Sequence, residues 1–271
     1  MTTEQFTLEK FARHPFYQEV NRRLVKLVSL RPGQRVVDLG AGTGAVTRLL
    51  VEEVAGCRGA EVIAVEPSTS ALEVARRNLA QVSGAVVRFV QGGAERLSQV
   101  VKRPVDAVVF CNAIHLVREK TRVLQEVYRT LKDGGSFAFN TSFYQGAEPP
   151  EAHQFYRRWL IKAMRHLKTR YGLTPGDART PARERLSEEE YLALLEANGF
   201  RVHHREIVRV EMPLESFEDI SEYSLWIEGV LPGVPLEAGS VALKEAVRET
   251  FAELGIKSSP RNWLLVVARR A

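Results

Sequence analysis

The sequence of 271 residues contains few cysteines and no long apolar run. Its two cysteines, Cys57 and Cys111, are far apart and show no metal-ligand spacing, so we expect two reduced thiols and no metal. No apolar run approaches the roughly 18 residues that a membrane-spanning helix needs. The first ten residues, MTTEQFTLEK, contain two glutamates and lack the apolar segment of a signal peptide. These absences predict a cytoplasmic protein without a membrane span.

The sequence also lacks internal repeats and low-complexity segments. Its formal net charge is +5 and its pI about 9.3, but basic side chains alternate with acidic ones, as in RETFAELGIK. A scattered basic excess of this kind does not predict a nucleic-acid partner, and we expect none. Apolar residues make up 45% of the chain, which is enough for a core. The length favours one large domain, or one core domain with insertions.

Apolar strands alternate with helical patterns between residues 34 and 140. The predicted strands lie at 35–39, 60–66, 86–90, 105–111 and 136–140. Nearly continuous apolar strands separated by helices are typical of a parallel sheet covered on both faces. Right-handed crossovers then make the sheet doubly wound. Two capping boxes, Ser70 with Glu73 and Ser187 with Glu190, predict where two of the helices begin.

The alternation stops after residue 140. The pattern then predicts a long helix, a loop rich in Pro, Gly and Arg, a second helix, a half-exposed strand, an irregular helical region and a closing strand, at 151–171, 172–186, 187–199, 201–212, 213–258 and 262–270. We therefore predict a single domain over residues 1–271. Its sheet core covers about 30–140, 187–212 and 262–271, and a helical lid covers about 1–25, 141–186 and 213–258.

The stretch VVDLGAGTGAV, residues 36–46, places three glycines between a strand and a helix. Glycine allows a sharp turn and lets a ligand approach the backbone. The stretch also satisfies the loose dinucleotide pattern G-x-G-x-x-G/A, and a purely structural turn is a further alternative. Asp38 separates these possibilities, because a carboxylate at this position repels a pyrophosphate on the helix N-terminus. A ligand with an ammonium group and a sulfonium, as in S-adenosylmethionine, is attracted instead.

Other polar residues follow the later strands of the predicted sheet. Glu66 ends the second strand, where a carboxylate can accept both hydroxyls of a ribose, although an ordinary exposed acid is the alternative. GGAERL (92–97) follows the third strand, and CNAIHL (111–116) follows the fourth. Ligands of open α/β sheets gather at these strand ends. The residues that we expect to bind the cofactor are Asp38, Gly40, Ala41, Gly42, Gly44, Glu66, Pro67, Gly93, Ala94, Glu95 and Asn112.

With these motifs in order, the sequence resembles the class I S-adenosylmethionine-dependent methyltransferases, of the branch that methylates small molecules and quinone-type precursors. The matching motifs are VVDLGAGTG, VIAVEPS, VQGGAERL, VDAVVFCNAIHLV and LKDGGSFAFN, which cover about residues 30–140. The resemblance is weaker over 187–212 and 262–270. It implies a doubly wound, seven-stranded, mostly parallel Rossmann-like sheet, S-adenosylmethionine as cofactor and a small-molecule methyl acceptor.

One position departs from the family pattern. The family commonly has an acid after the first glycine of the third motif, where it accepts a hydrogen bond from the adenine amino group, and here that position is Gly93. We expect Glu95 or a backbone carbonyl to compensate, or else a weaker selectivity for adenine. A backbone contact from Ala94 remains available. The departure therefore affects one hydrogen bond, about 1 kcal/mol, and not the cofactor assignment.

Candidates for the methyl-transfer step follow from the resemblance and from side-chain chemistry. Histidine is suited to act as a base near neutral pH, and His115 follows the fourth strand. The alternatives are a wall of the pocket, or a histidine that packs on or caps the next helix. His14 and Tyr17 lie in an N-terminal segment of the kind that folds over the cofactor in the family. Lid aromatics are expected to line an acceptor pocket or simply to join the lid to the sheet; these are Tyr144, Tyr156 and Trp159.

Several other functions stay open on the sequence alone. An NAD-dependent oxidoreductase is opposed by Asp38. An RNA, DNA or protein methyltransferase is the second alternative, although FCNAIH (110–115) lacks the motifs of amino-group and cytosine C5 DNA methylation. A protein that binds S-adenosylmethionine without catalysis is the third. The sequence does not determine the acceptor, the accepting atom or the oligomeric state.

Overall fold

The computed structural model describes residues 6–176 and 185–271. Seven strands form one sheet: β1 (Arg35–Leu39), β2 (Glu61–Glu66), β3 (Val86–Gln91), β4 (Val105–Cys111), β5 (Leu131–Thr141), β6 (Phe200–Pro213) and β7 (Ser258–Arg270). Their order in the sheet is β3-β2-β1-β4-β5-β7-β6. The pairs from β3 to β5 are parallel, whereas β7 runs antiparallel to β5. The strand order reverses between β1 and β4, and ligands of open α/β sheets bind at such a point.

Helices connect and flank these strands. They are α1 (Glu9–Ala12), α2 (Pro15–Val28), α3 (Ala45–Val54), α4 (Thr69–Asn78), α5 (Leu97–Val100), α6 (Lys120–Thr130), α7 (His153–His166), α8 (Glu188–Ala197), α9 (Leu214–Ile220), α10 (Ser224–Val230) and α11 (Leu236–Leu254). A π-helical turn, Leu167–Tyr171, extends α7. Within residues 6–176 and 185–271, no helix is long and apolar enough to cross a membrane.

The burial of the strands explains the parallel arrangement. All but one residue of β1, and all but one of β2, are buried, as expected for central strands covered on both faces. The edge strand β3 is far more exposed, and β6 alternates between exposed and less exposed positions along most of its length. The mostly parallel, doubly wound seven-stranded sheet expected from the sequence is confirmed.

The two predicted capping boxes have different outcomes. Ser187 accepts from the amide of Glu190, and the Glu190 side chain accepts from the amide of Ser187, so this box is confirmed. The box at Ser70 is wrong, because Ser68 is the N-cap of α4 and accepts from Ala71 N–H. The amide of Ser68 donates to Glu66 at 3.0 Å, which holds Ser68 in the extended conformation that an N-cap needs.

Two element boundaries also differ from the prediction. The strand predicted at 136–140 is longer in the structure, where β5 begins at Leu131, directly after α6 ends at Thr130. The long helix predicted from residue 151 begins at His153, after a short 3₁₀ turn at Pro150–Ala152.

The chain divides into two compact units, each described by itself. The sheet unit comprises Gln18–Tyr144, Leu186–Val208 and Trp263–Ala271. The helical unit comprises the described residues within Met1–Tyr17, Gln145–Arg185 and Arg209–Asn262. Residues 1–5 of the predicted lid and 177–184 of the predicted loop lie outside the described residues. The predicted role of the lid stays a prediction.

Aromatic side chains form the core of the helical unit. The ring of Phe155 lies 4.9 Å from that of Phe217 and 5.3 Å from that of Phe251. Trp159 stacks on Trp226 at 5.7 Å. Large rings bury much apolar area each, and such pairs add to the stability that burial provides. The helical unit therefore has a hydrophobic core of its own.

Candidate functional site

The glycine loop after β1 lies at the point where the strand order reverses. Gly40, Gly42 and Gly44 have φ values of +69°, +53° and +89°, which side chains other than glycine rarely adopt. The amides of Gly40 and Ala41 donate to the carbonyl of Val65 at 2.8 and 3.1 Å, which ties the loop to β2. This geometry explains why the sequence has three alternating glycines here.

The space around two of these glycines differs. A Cβ atom on Gly44 would lie 2.8 Å from Cδ1 of Leu79, so α4 packs tightly against the start of α3. A Cβ atom on Gly42 would meet no other atom within 4 Å. The loop is therefore closed on the side of Gly44 and open in front of Gly42.

Asp38 lies beneath this loop, and its side chain is only 1% exposed. The hydroxyl of Thr47 donates to Oδ2 of Asp38 at 2.6 Å. Thr47 is in the first turn of α3, whose N-cap residue, Gly44, has no side chain that could accept from the helix amides. Asp38 therefore supplies, from the neighbouring strand, the carboxylate that a helix N-terminus favours.

Burial raises the pKa of Asp38 to about 7. The hydrogen bond from Thr47 lowers this pKa, and the negative charge of Glu66 raises it. Asp38 therefore titrates in the neutral range, far above an ordinary aspartate. Because a nearby positive charge favours the ionised form, a cationic ligand would lower this pKa and bind the carboxylate.

Glu66 connects the glycine loop to the segment after β2. Its Oε2 accepts from Gly42 N–H and its Oε1 from Ser68 N–H, each at 3.0 Å. Pro67 follows, and its carbonyl accepts from the side chain of Gln91 at 3.3 Å. A carboxylate oxygen can accept two hydrogen bonds, and each oxygen of Glu66 accepts one here, so Glu66 retains acceptor capacity for a ligand hydroxyl.

The segment after β3 places a carboxylate beside Gly93. A Cβ atom on Gly93 would lie 2.9 Å from Oε2 of Glu95, so the carboxylate of Glu95 occupies the space into which a side chain at position 93 would extend. Ala94 begins the 3₁₀ turn Ala94–Arg96 directly after it. Which of the compensations expected for the missing acid operates stays a prediction.

His115 lies in the 3₁₀ turn Ile114–Leu116 after β4 and is only 4% exposed. Its Nδ1 is 3.1 Å from the hydroxyl of Thr141, and its ring stacks on Phe143 with 4.2 Å between centroids. These two contacts fix the orientation of the ring. Its role as a base stays a prediction.

The thiol of Cys111 lies at the end of β4. Burial raises the pKa of this thiol well above its usual range, and the charge of Asp38 raises it further. Cys111 is therefore a neutral thiol, and both cysteines are free. Among the residues that the structure describes, no group of three His, Cys, Asp or Glu side chains is placed to hold a metal ion.

Two residues of the N-terminal segment pack within the helical unit. Nε2 of His14 lies 2.8 Å from Oδ2 of Asp219. The ring of Tyr17 is 7% exposed and contacts Phe11 edge to face at 5.4 Å. Contact of either residue with a cofactor stays a prediction.

The three predicted lid aromatics are all buried. Trp159 is completely buried, and its indole N–H donates to the carbonyl of Leu243 at 2.8 Å. Tyr156 is 5% exposed and lies in the same aromatic core, and Tyr144 in the sheet unit is 2% exposed. These positions suit the packing role that the sequence left open. Contact with an acceptor stays a prediction.

Comparison with known proteins connects this geometry to a family. Residues 36–135 match the family described as "Methyltransferase domain". The ubiquinone/menaquinone biosynthesis C-methyltransferase UbiE of Legionella pneumophila is 33% identical over 132 residues, which are 47% of this chain and 52% of that protein. The chain thus spans about half the length of this curated relative.

Solved structures with a similar fold align with most of the chain. YjhP from E. coli is 14% identical, with a TM-score of 0.61 over 99% of this chain and 100% of that one. A methyltransferase from Thiobacillus denitrificans, solved with S-adenosyl-L-homocysteine, is 18% identical, with a TM-score of 0.56 over 93% and 91%. At such identities the likeness shows the fold alone. The resemblance to class I methyltransferases that the motifs indicated is confirmed for the domain and its fold.

An asparagine network supports the segment that follows β4. Asn112 has a φ of +51°, which is uncommon for a residue other than glycine. Its Oδ1 accepts from the indole N–H of Trp263 at 2.9 Å, and its Nδ2 donates to Oδ1 of Asn21 at 3.1 Å. Its backbone amide donates to Oδ1 of Asn140 at 2.8 Å. Both ends of the Asn112 side chain therefore bind other parts of the protein.

Four residues of this site were missed by sequence reasoning. They are Asn21, Thr47, Asn140 and Trp263. Asn140 carried a usable signal, because a polar residue ends an apolar strand at the same sheet edge as Asn112. Trp263 carried none, because an indole in an apolar strand is indistinguishable from an ordinary core residue.

The Asp38→Asn variant tests the buried charge. An amide retains an acceptor for Thr47 but cannot ionise. In the wild type, the raised pKa of Asp38 means that stability is lost as pH rises from the unfolded-state value towards about 7. We therefore compare the free energy of unfolding of the variant with that of the wild type by urea denaturation. The variant minus wild-type difference should be about 2 kcal/mol more positive at about pH 8.5 than at about pH 5.5.

Thr47→Val is the matched control for this prediction. It removes the hydroxyl that stabilises the ionised carboxylate but preserves shape. This variant should lose more stability at high pH than at low pH, which is the opposite trend. If the difference in stability between each variant and the wild type does not change with pH, the claim that Asp38 is a buried ionisable group is contradicted.

The Trp263→Phe variant tests the asparagine network. It removes the indole donor and leaves Oδ1 of Asn112 without it, which should destabilise the protein by about 1–3 kcal/mol. We also expect hydrogen exchange of the Asn112 amide to accelerate at least about tenfold, a change of about 1.4 kcal/mol in local opening. Trp159→Phe removes a comparable buried donor from the helical unit. If Trp159→Phe accelerates exchange at Asn112 equally, the network does not hold this residue.

Proposed function

We propose that this protein transfers a methyl group from S-adenosylmethionine to a small-molecule acceptor by in-line displacement. The observation that carries the proposal is the buried carboxylate of Asp38 beneath the glycine loop, joined to Thr47 of α3. Glu66 adds a second carboxylate bonded to the same loop. Two acids in contact with one strand-to-helix turn favour a cationic nucleoside.

The same contacts oppose a dinucleotide. A pyrophosphate in a dinucleotide site lies on the N-terminus of the helix after the glycine turn. In this protein the carboxylate of Asp38 already binds the first turn of α3 through Thr47. A phosphate there would meet a buried negative charge, whereas an ammonium group or a sulfonium would be stabilised by it.

The residues around the loop suit the remaining parts of the cofactor. The remaining acceptor capacity of Glu66 suits the two ribose hydroxyls. The open space at Gly42 allows a ligand to approach the backbone. We propose that the Ala94 amide and the Glu95 carboxylate bind the adenine ring, with Glu95 acting in place of the acid absent at Gly93.

Methyl transfer requires few catalytic groups from the protein. S-adenosylmethionine supplies, when bound, a methyl group that its sulfonium makes electrophilic. The side chains must then hold the acceptor in line and exclude water. We retain His115 as the candidate base for an acceptor that loses a proton, since Thr141 and Phe143 fix its ring. We propose that the helical unit determines which acceptor is used.

The named relative points to an acceptor class. UbiE is described as a C-methyltransferase of ubiquinone and menaquinone biosynthesis. We propose an aromatic, quinone-type or lipid-like acceptor for this chain as well. We also propose a cytoplasmic location, which the two free cysteines support.

Calorimetric titration with S-adenosylhomocysteine and with NAD tests the cofactor assignment. We expect binding of the first and none of the second. Gly42→Ala should weaken binding at least about tenfold, a loss of about 1.4 kcal/mol, because its methyl group enters the open space in front of the loop. Gly134→Ala is the matched control, since Gly134 also has a positive φ and open space around it. It should bind normally.

Other outcomes decide between the alternatives. Tight binding of NAD without S-adenosylhomocysteine would indicate an oxidoreductase. A salt-dependent affinity for RNA would indicate an RNA methyltransferase. Cofactor binding without release of S-adenosylhomocysteine in a broad acceptor screen would indicate a non-catalytic binding protein.

A further inference from the structure

The segment formed by α7 and its π-helical turn, residues 153–171, has an unusual charge composition. It contains six lysines and arginines and no aspartate or glutamate. The basic residues are Arg157, Arg158, Lys162, Arg165, Lys168 and Arg170. A helix with only positive charges needs negative partners from outside itself.

One flank of this segment finds its partners on α11. Arg158 pairs with Glu253, and Lys162 pairs with the same glutamate at 2.7 Å. Arg170 pairs with Glu245 at 2.7 Å. These ion pairs neutralise half of the basic residues, and they fix which side of the helix faces α11.

The opposite side, which we name the outward face, consists of Arg157, Ile161, Met164, Arg165, Lys168 and Tyr171. Its three basic residues are exposed and have no ion pair within the described residues. Ile161 and Met164 are 42% and 44% exposed, and Tyr171 is 39% exposed. The spacing of these positions follows the helical repeat, so they form one stripe.

The buried side of the helix shows that this exposure is not a consequence of loose packing. Phe155 and Trp159 are 3% and 0% exposed and fill the aromatic core of the helical unit. The apolar side chains of this helix that contribute to the core lie on that side. Ile161 and Met164 are therefore presented outward, between positive charges.

We propose that the outward face binds the surface of an anionic lipid bilayer. Phosphate groups of the lipid pair with Arg157, Arg165 and Lys168, while Ile161 and Met164 enter the boundary between headgroups and acyl chains. Basic side chains are attracted to anionic headgroups, and apolar side chains exposed beside them can enter the boundary between headgroups and acyl chains. This proposal does not depend on the reaction that the protein catalyses. Binding to a bilayer would nevertheless bring the protein to the lipid phase in which an apolar acceptor dissolves.

A nucleic acid explains the outward face less well. A polyanion neutralises the three cations but leaves Ile161 and Met164 in water, because it offers no apolar layer. A bilayer accounts for both features at once. The apolar side chains therefore distinguish the two partners.

Co-sedimentation with vesicles tests the proposal. The full chain is mixed with vesicles of phosphatidylglycerol and phosphatidylcholine, or of phosphatidylcholine alone, at low and high salt. We expect at least about tenfold tighter binding to the anionic vesicles, reduced by salt. Two variants remove the two components separately: R157Q/R165Q/K168Q removes the charges, and I161S/M164S removes the apolar side chains. Each should lose at least about tenfold in affinity.

Matched controls come from elsewhere on the surface. K26Q/R77Q/K102Q removes three exposed basic residues of the sheet unit. V86S/I207S removes two exposed apolar side chains, at 59% and 47% exposure. Both controls should bind vesicles like the wild type, and thermal melting confirms that all variants fold.

Three results would overturn the proposal. One is equal affinity for anionic and neutral vesicles, and another is equal loss in the control variants. The third is a charge variant that loses affinity for a short RNA while the apolar variant binds vesicles like the wild type. That last pattern would show a polyanion site rather than a membrane-binding face.

Discussion

The burial of the Asp38 carboxylate beneath the glycine loop is the constraint on which the rest of the site depends. Strand β1 is buried on both faces, so a carboxylate at its fourth position is withdrawn from water. The bond from the Thr47 hydroxyl partly compensates for this burial and joins the carboxylate to the first turn of α3, whose N-cap is a glycine. Glu66 then holds the loop from the side of β2. The buried negative charge of Asp38 destabilises the protein without a ligand, and it stabilises a bound cation.

The loops around this carboxylate are held by different means. The glycine loop depends on backbone conformations that favour glycine and on hydrogen bonds to the carbonyl of Val65. The segment after β4 depends on side chains, because Asn112 has a positive φ and is fixed by Asn140 and Trp263. Such conformations persist where their surroundings determine them, and they concentrate at functional sites.

Sequence patterns predicted the features that depend on local chemistry. Continuous apolar runs gave the bounds of β1 and β4, and the glycine-rich motif located the loop. Features that depend on packing could not be predicted from the sequence. Trp263 bonds to Asn112 across 151 positions of sequence. Ser68, rather than Ser70, is the N-cap of α4, and the bond from its amide to Glu66 holds it in that role. The raised pKa of Asp38 depends on burial, which composition does not report.

The most direct measurement of the central claim is proton release on cofactor binding, from calorimetry at about pH 6.5 in buffers of different ionisation enthalpy. If a cationic ligand lowers the pKa of Asp38, the wild type releases a fraction of a proton when it binds S-adenosylmethionine. The Asp38→Asn variant then releases none. Binding without proton release in the wild type, or with equal release in the variant, would contradict the account.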